Sequence, residues 1–192
     1  MVRAFRPEPV PAAVLDRVLD AGRRAPSAGH SQGWAFVVLE GADQTSAYWD
    51  VTFPDPVKRA AFAFPGLFDA PVLIVALAHA DAYVERYAEP DKAATGLGAS
   101  ADAWPVPYWT VDTSFAAMLM LLAAVDEGLG ALFFGIFEGA EELLRSLDVP
   151  DGYAPIGTIA VGWPDPEADR PGVSSASRGR RELDDVVHRG RW

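Results

Sequence analysis

Hydrophobic residues along the chain form two kinds of pattern, helical spacing and short continuous runs. Apolar positions at helical spacing predict a first helix between Pro11 and Pro26. Pro11 suits a first helical turn, and Pro26 ends the helical pattern. Four short continuous runs predict buried strands at residues 34–39, 71–77, 131–134 and 156–161. Helices and strands therefore alternate along the chain.

The strongest helical pattern covers residues 112–127. Residues 115–125 are apolar on every face of that helix, so we expect it to be buried all round. A single small domain buries such a helix with difficulty, whereas the centre of a dimer does so easily. Gly128 and Gly130 follow and end the helix.

Three further segments complete the layout. Residues 42–64 are helical in part, residues 138–147 predict an amphipathic helix, and the tail from Asp165 is polar and contains an arginine cluster. The order of elements predicts one α+β domain over residues 1–192, built as a mixed sheet flanked by helices.

Composition narrows the class of protein. The formal net charge is −11 and the pI is about 4.6, so nucleic acid and anionic membrane are poor partners. The chain has no cysteine, which removes disulfides and thiolate chemistry, and its three histidines lack metal-ligand spacing, so we expect no metal. The start is polar and the longest apolar run is shorter than the roughly 20 residues of a membrane span. We expect a soluble, cytoplasmic protein.

The loop over residues 27–33 has two interpretations. Its Gly29-His30-Ser31-Gln32-Gly33 matches the G-x-S-x-G elbow of serine hydrolases. A triad is then available in chain order, with Asp112 or Asp148 as the acid and His188 as the base. That elbow needs a strand before the serine and a helix after it, and the order here is reversed. The second interpretation is a rigid cradle for a ligand, with hydroxyl, amide and imidazole donors beside a glycine; an ordinary turn-rich connection is the alternative.

Two other groups of residues are candidates for binding. Arg178 and Arg180 stand two apart, so in an extended segment both point to one side and suit a phosphate, although a solvated basic tail has the same pattern. Residues 80–109 form a glycine-, proline- and aromatic-rich excursion typical of a surface lid. Neither a dinucleotide-binding fingerprint nor a P-loop is present.

Taken together, these segments resemble the nitroreductase family. The opening residues 2–7 resemble the end of its Arg-Arg-Ser-x-Arg-x-Phe motif, and residues 25–34 resemble its Ala-Pro-Ser-x-x-Asn-Ser-Gln-Pro-Trp motif. Residues 128–130, 151–155 and 161–164 resemble its second half, and the arginines before Leu183 its tail. The resemblance covers essentially the whole chain, and it is the order and spacing of loose motifs that make it specific.

The resemblance implies an α+β fold, an intertwined homodimer with a long central helix and a C-terminal extension, and FMN at each of two subunit interfaces. One subunit would contact FMN through Arg3, with Arg178 and Arg180 on the phosphate and the backbone around Phe133, Gly135 and Ile136 facing the ring. The other subunit would supply the loop residues. By position these are Pro26, Ser27, Ala28 and His30.

The sequence departs from the nitroreductase family pattern in three places. The usual helix and Arg-Arg pair before the Val2 position have no counterpart, which predicts either a truncated start or a weaker hold on the cofactor. His30 stands where asparagine is usual and Gly33 where proline is usual, so the loop is roomier.

The function that follows from the resemblance is an FMN-dependent oxidoreductase. It would take hydride from NAD(P)H and pass electrons, in a ping-pong sequence, to a nitro compound, a quinone or a similar small organic acceptor, so no catalytic side chain is required. Trp104, Tyr108 and Trp109 are candidates to stack on the substrate or form a lid, with a place in the core as the alternative. The serine hydrolase and a flavin-binding protein without turnover are the rival functions.

Overall fold

The computed structural model describes residues 1–170 and 177–192, and its centre is a four-stranded sheet in the order β1-β2-β4-β3. Every pairing between neighbouring strands is antiparallel, so the α+β class is confirmed while the sheet is not mixed in strand direction over the described residues. The strands are β1 (Trp34–Glu40), β2 (Val72–His79), β3 (Gly130–Phe134) and β4 (Tyr153–Gly162).

Six α-helices accompany the sheet in the described part of the chain, and local sequence signals explain several of their ends. Asp55 caps α3, since its carboxylate accepts the N–H groups of Val57 and Lys58 and Pro56 occupies the first turn. Residues 80–109, expected as a loop-like lid, contain the helix α4. The helices are α1 (Ala12–Arg23), α2 (Gly41–Thr52), α3 (Pro56–Ala60), α4 (Asp81–Ala88), α5 (Tyr108–Asp126) and α6 (Ala140–Ser146).

Strand β2 divides the core into two layers. Leu73, Val75 and Leu77 point to the side of α2 and α6, whereas Val72 and Ile74 point to the side of α1 and α5. Successive side chains of a strand alternate between faces, and both faces are covered here, so β2 is apolar throughout. This explains why the sequence shows a continuous hydrophobic run instead of an alternating one.

Helix α5 is buried on one side within a single chain, so its burial on every side, expected at the centre of a dimer, stays a prediction. Its buried residues, among them Ala116 and Met120, pack towards α1 and the sheet. Within one chain the opposite side is exposed, and its four large apolar residues form what we call the α5 stripe: Phe115, Met118, Leu122 and Val125 are 48%, 53%, 59% and 66% exposed. By length and composition alone α5 could also cross a membrane. Its packing on α1 and the sheet makes it part of the domain core.

Gly157 of β4 sits where a side chain does not fit. Its φ is +150°, and an added Cβ would lie 2.5 Å from Cζ of Phe133 and 2.8 Å from the carbonyl oxygen of Phe134. We expect Gly157→Ala to lower the free energy of unfolding by about 2–4 kcal/mol, from backbone strain and overpacking together. Denaturant titration measures this. Gly179→Ala is the matched control, since no described residue lies within 4 Å of its Cβ position; equal stability of the two variants would contradict the prediction.

Candidate active site

A cavity of about 310 Å³ opens on the α2 side of the sheet, and we call it the aromatic cavity. Its walls come from α2, from the segment before β2, and from the end of β3 with the turn that follows. Arg3 is the one arginine on its wall. The lining residues are Arg3, Tyr48, Trp49, Thr52, Phe53, Phe62, Phe64, Leu67, Phe68, Leu132, Phe134, Gly135, Ile136, Phe137 and Glu138.

Aromatic packing fixes the shape of this cavity. The ring of Trp49 stacks on Phe134 with centroids 5.5 Å apart, and Phe68 meets Trp49 edge-on at 4.9 Å. Beside them, the hydroxyl of Tyr48 hydrogen-bonds the Thr158 hydroxyl at 2.9 Å. Burial raises the pKa of Tyr48 to about 12, so the phenol stays neutral at physiological pH. The cavity is therefore rigid, apolar and suited to a flat ring.

Several residues of the cavity wall carry polar groups. Trp49 is 6% exposed, and its indole Nε1–H is buried without a hydrogen-bond partner in the described residues. The backbone N–H groups of the part-buried Gly135 and Ile136 donate to no acceptor in the described part of the chain. Groups of this kind can bind acceptor atoms of a ligand. Glu138, the one carboxylate of the wall, pairs with Lys58 at 3.3 Å.

Arg3 is placed by the N-terminal segment. The Val2 N–H donates to the Ala131 carbonyl, and the Arg3 N–H donates to a carboxylate oxygen of Asp169 at 2.8 Å. The guanidinium carbon lies 5.2 Å from the centre of the Phe64 ring, a cation–π contact. These contacts hold a positive charge at the wall of the aromatic cavity, with no side-chain ion pair among the described residues.

A buried carboxylate anchors the loop over residues 27–33. Asp112 of α5 is 2% exposed, and one of its oxygens accepts the Ala28 N–H and the Tyr83 hydroxyl, both at 2.8 Å. Burial, then the hydrogen bond to Asp112, raises the pKa of Tyr83, which keeps the phenol a donor. Arg86 of α4 donates to the Gly29 carbonyl at 2.9 Å. The loop is thus fastened to both α4 and α5.

The loop itself is tightly folded. His30 and Gln32 both have positive φ values, 58° and 50°, a region that side chains other than glycine seldom adopt. The Ser27 hydroxyl accepts the Gln32 N–H at 3.0 Å and so closes the turn. The strained backbone leaves the His30 side chain exposed.

Within one chain, the loop and Arg3 lie at opposite ends of the sheet. The loop leads into Trp34, the first residue of β1. Arg3 follows Val2, whose N–H bonds the Ala131 carbonyl of β3. Strand pairing through β4 and β2 aligns Ala131 with Glu40, the last residue of β1. The two ends of this strand are about 20 Å apart. A single chain therefore does not bring Arg3 together with Pro26, Ser27, Ala28 and His30.

The other predicted site residues are scattered. Gly135 and Ile136 line the aromatic cavity, but Phe133 packs on the opposite face of the sheet, because successive strand residues alternate, and Phe134 takes its place in the wall. Arg178 and Arg180 are exposed in the tail and line neither this cavity nor its neighbours.

The aromatic residues of the excursion form a cluster of their own. Trp104 is 8% exposed, donates its Nε1–H to the Leu97 carbonyl at 3.0 Å, and touches Tyr83, Tyr108 and Trp109. Trp104 is thus a core residue of this region, and Tyr108 and Trp109 open helix α5 beside it.

Ser31, Asp112 and His188 do not form the catalytic triad that a serine hydrolase needs. The Ser31 hydroxyl donates to the Ala28 carbonyl at 2.7 Å, and Asp112 is engaged by Ala28 and Tyr83. His188 stacks on Trp192 in the exposed tail. Strand β1 follows the serine, where an elbow needs a helix.

Trp49 and Tyr83 were not recognised from sequence as site residues, and Asp112 was named only as a possible acid of the hydrolase triad. Trp49 carries no local signal, because only the fold shows that its indole N–H lacks a partner. Asp112 does carry one: it is the only acidic residue ahead of a long apolar run in the same helix, and a buried carboxylate needs partners.

Solved structures share this α+β architecture. An FMN-dependent nitroreductase from Clostridium difficile superposes with a TM-score of 0.67 at 21% identity, over 100% of this chain and 94% of that one. A model of the nitroreductase family matches residues 1–163. The chain belongs to the nitroreductase family and is an oxidoreductase by that membership.

Relatives in sequence bear different names. An NADH dehydrogenase of Thermus thermophilus is 28% identical over 177 residues, covering 85% of this chain and 82% of that protein. A 5,6-dimethylbenzimidazole synthase of Rhodospirillum rubrum is 28% identical over 200 residues, covering 98% and 89%. The chain is thus similar to proteins named for different reactions.

Proposed function

We propose that this protein is a cytoplasmic, homodimeric FMN-dependent oxidoreductase that takes hydride from NAD(P)H and reduces a small organic acceptor such as a nitro compound or quinone. One observation carries the proposal: an aromatic cavity of about 310 Å³ that has Arg3 on its wall. Small-molecule sites are typically apolar clefts of this size with a few convergent polar groups.

The residues present fit a flavin ring. The polar edge of that ring offers nitrogen and carbonyl acceptors, and the cavity wall offers the Arg3 guanidinium and the part-buried backbone N–H groups of Gly135 and Ile136. The rings of Trp49, Phe68 and Phe134 supply flat apolar surface.

Two copies of the chain would complete the site. The loop from Pro26 to His30 is too far from Arg3 along its own sheet, so the partner's loop would close the cavity. The α5 stripe supplies an apolar surface that a second copy would cover. This arrangement agrees with what the family resemblance implies.

Bound FMN would supply the redox chemistry, accepting two electrons as hydride and passing them to the acceptor. The protein's own groups would bind and orient. Arg3 would place positive charge beside the ring edge, where it favours the anionic reduced form. Backbone N–H groups at Gly135 and Ile136 would fix the ring in the slot, and the surrounding phenylalanines would exclude water.

The absorption spectrum of the purified protein tests this function. We expect a yellow dimer, or a colourless one that becomes yellow with added FMN, whose flavin band bleaches on anaerobic addition of NADPH or NADH. Binding without bleaching would make the protein a flavin-binding protein without turnover. A colourless protein that cannot be reconstituted would refute the proposal.

Arg180 is proposed to hold the FMN phosphate from the tail. Hydrogen bonds to charged groups contribute about 1.5–3 kcal/mol, so we expect Arg180→Ala to weaken FMN binding by that amount. Fluorescence titration with FMN measures the change. Arg189→Ala, an exposed arginine of the same tail, is the matched control. Equal FMN affinity of the two variants would remove Arg180 from the site.

A further inference from the structure

Helix α4 supports the loop over residues 27–33 at Gly29. Arg86 of α4 donates its Nε–H to the Gly29 carbonyl at 2.9 Å. The next residue of the helix, Tyr87, lies against the same glycine, since a Cβ on Gly29 would be 2.6 Å from Cε2 of the Tyr87 ring. Gly29 has a φ of +59°, so both the backbone conformation and the close approach require glycine. Two consecutive residues of α4 therefore fix the loop at one point.

Arg86 is itself held by the segment that follows α4. Its two terminal nitrogens donate to the two carboxylate oxygens of Asp91, both at 2.8 Å, and one of them also reaches Glu89 at 3.1 Å. Two parallel hydrogen bonds to one carboxylate fix the plane of a guanidinium. The hydrogen bonds to Asp91 also raise the pKa of Arg86, so the group stays charged. All three guanidinium nitrogens are engaged, and the Nε–H is left directed at the loop.

The loop needs such support because its backbone is strained. His30 and Gln32 both have positive φ values, and conformations of this kind persist only where the surrounding structure holds them. Asp112 accepts the Ala28 N–H, and Arg86 holds the chain one residue further along, directly before His30. The loop thus has one anchor on α5 and a second, independent anchor on α4.

We propose that Arg86 is a positioning residue, which holds the loop over residues 27–33 in the shape that binds FMN in the cavity of the partner subunit. Arg86 is not among the residues that line the aromatic cavity, so it acts through the Gly29 carbonyl. Helix α4, in the segment expected to form a lid, is then a fixed support for the loop. The inference rests on the proposed function, since it takes this loop to bind FMN.

Arg86→Ala tests the inference in the intact protein. If the unsupported loop keeps its binding shape for about a tenth of the time, the dissociation constant for FMN rises about tenfold. Fluorescence titration measures that change, and sedimentation velocity should give the wild-type mass. In the FMN-free protein, hydrogen exchange should become faster at the hydrogen-bonded amides of residues 28 and 30–32 and stay unchanged in β2.

Two further variants accompany Arg86→Ala. Arg86→Lys keeps the charge and a flexible donor but not the planar fork, so it should recover part of the affinity and of the protection. Arg145→Ala is the matched control, because Arg145 pairs with Glu142 within its own helix α6, as Arg86 pairs with Glu89. It should change neither the FMN affinity nor the exchange of the loop.

Three results would overturn the inference. Wild-type exchange in the loop of Arg86→Ala would show that the loop keeps its shape without this contact. Faster exchange with unchanged FMN affinity would show that the shape does not matter for binding. Faster exchange that extends to β2, or loss of the dimer, would make Arg86 a residue of general stability. If Arg86→Ala does not fold, Asp91→Asn decides in its place: it loosens the guanidinium and should produce smaller changes in the same direction, and no change would overturn the inference.

Failure of the proposed function has a different result. If the wild-type protein binds no FMN, the proposed function fails, and the role of Arg86 in binding FMN fails with it. If the wild-type protein binds FMN and Arg86→Ala binds it equally tightly, the proposed function stands and only the inference about Arg86 is refuted.

Discussion

Leu122→Asp is expected to convert the protein into a monomer that no longer holds FMN. Leu122 is 59% exposed at the middle of the α5 stripe. Its neighbours in that stripe, Met118 and Val125, are exposed to a similar degree. A carboxylate in the centre of a covered apolar surface loses its hydration, and hot-spot residues at the centre of an interface contribute about 2–4 kcal/mol. That amount corresponds to roughly 30- to 1,000-fold in the dimer dissociation constant.

The loss of FMN follows from the geometry of the site. The loop from Pro26 to His30 and the Arg3 side of the cavity lie at opposite ends of one chain's sheet, so a monomer would have only half of the binding groups. Sedimentation velocity gives the mass, and FMN titration gives the affinity at the same protein concentration.

A matched control exists on α3. Val57 is 75% exposed and far from the α5 stripe in sequence, and Val57→Asp places the same charge on another apolar surface residue. We expect that variant to remain a dimer with wild-type FMN affinity. If the Leu122→Asp protein also stays dimeric and yellow, the α5 stripe is not the subunit interface.

The parts of the fold that depend on local pattern could be predicted from sequence. Continuous apolar runs predicted all four strands, and helical spacing predicted α1, α5 and α6 to within a few residues. The order β1-β2-β4-β3 could not be predicted, because pairing between distant segments leaves no periodicity. Hydrophobicity also showed that every face of α5 is apolar, but it did not distinguish the face that packs on the sheet from the face exposed in one chain.

The candidate site was predictable only in pieces. Motif resemblance indicated Arg3, Gly135 and Ile136, and the structure gathers these three at one cavity. Trp49 belongs to no motif, and only the fold shows that its buried indole N–H lacks a partner among the described residues. A missing contact is a property of the folded molecule and is not encoded in local sequence.

Asp112 is expected to be the side chain whose loss most disturbs the loop over residues 27–33. Its single engaged oxygen accepts the Ala28 N–H and the Tyr83 hydroxyl, so Asp112→Ala would orphan two donors at once. Each unsatisfied buried donor costs about 1–3 kcal/mol, which predicts a loss of roughly 2–5 kcal/mol in the free energy of unfolding. The rate of hydrogen exchange at the Ala28 amide should increase much more than the rates at the amides of β2, because the loop loses its anchor while the sheet stays intact.

Asp112→Asn distinguishes the hydrogen bonds from the charge. The amide carbonyl has two lone pairs, so it can accept both donors as the carboxylate oxygen does, and we expect most of the stability, the protection of Ala28 and the FMN affinity to return. Tyr83→Phe removes one of the two donors to Asp112 and leaves the Ala28 N–H with its acceptor, so this variant should fall between the two. Asp126→Ala, an exposed acidic residue of the same helix, should change nothing. An Asp112→Ala protein with wild-type exchange at Ala28 would show that the loop keeps its shape without Asp112, because the tight backbone and the Arg86 contact would then suffice.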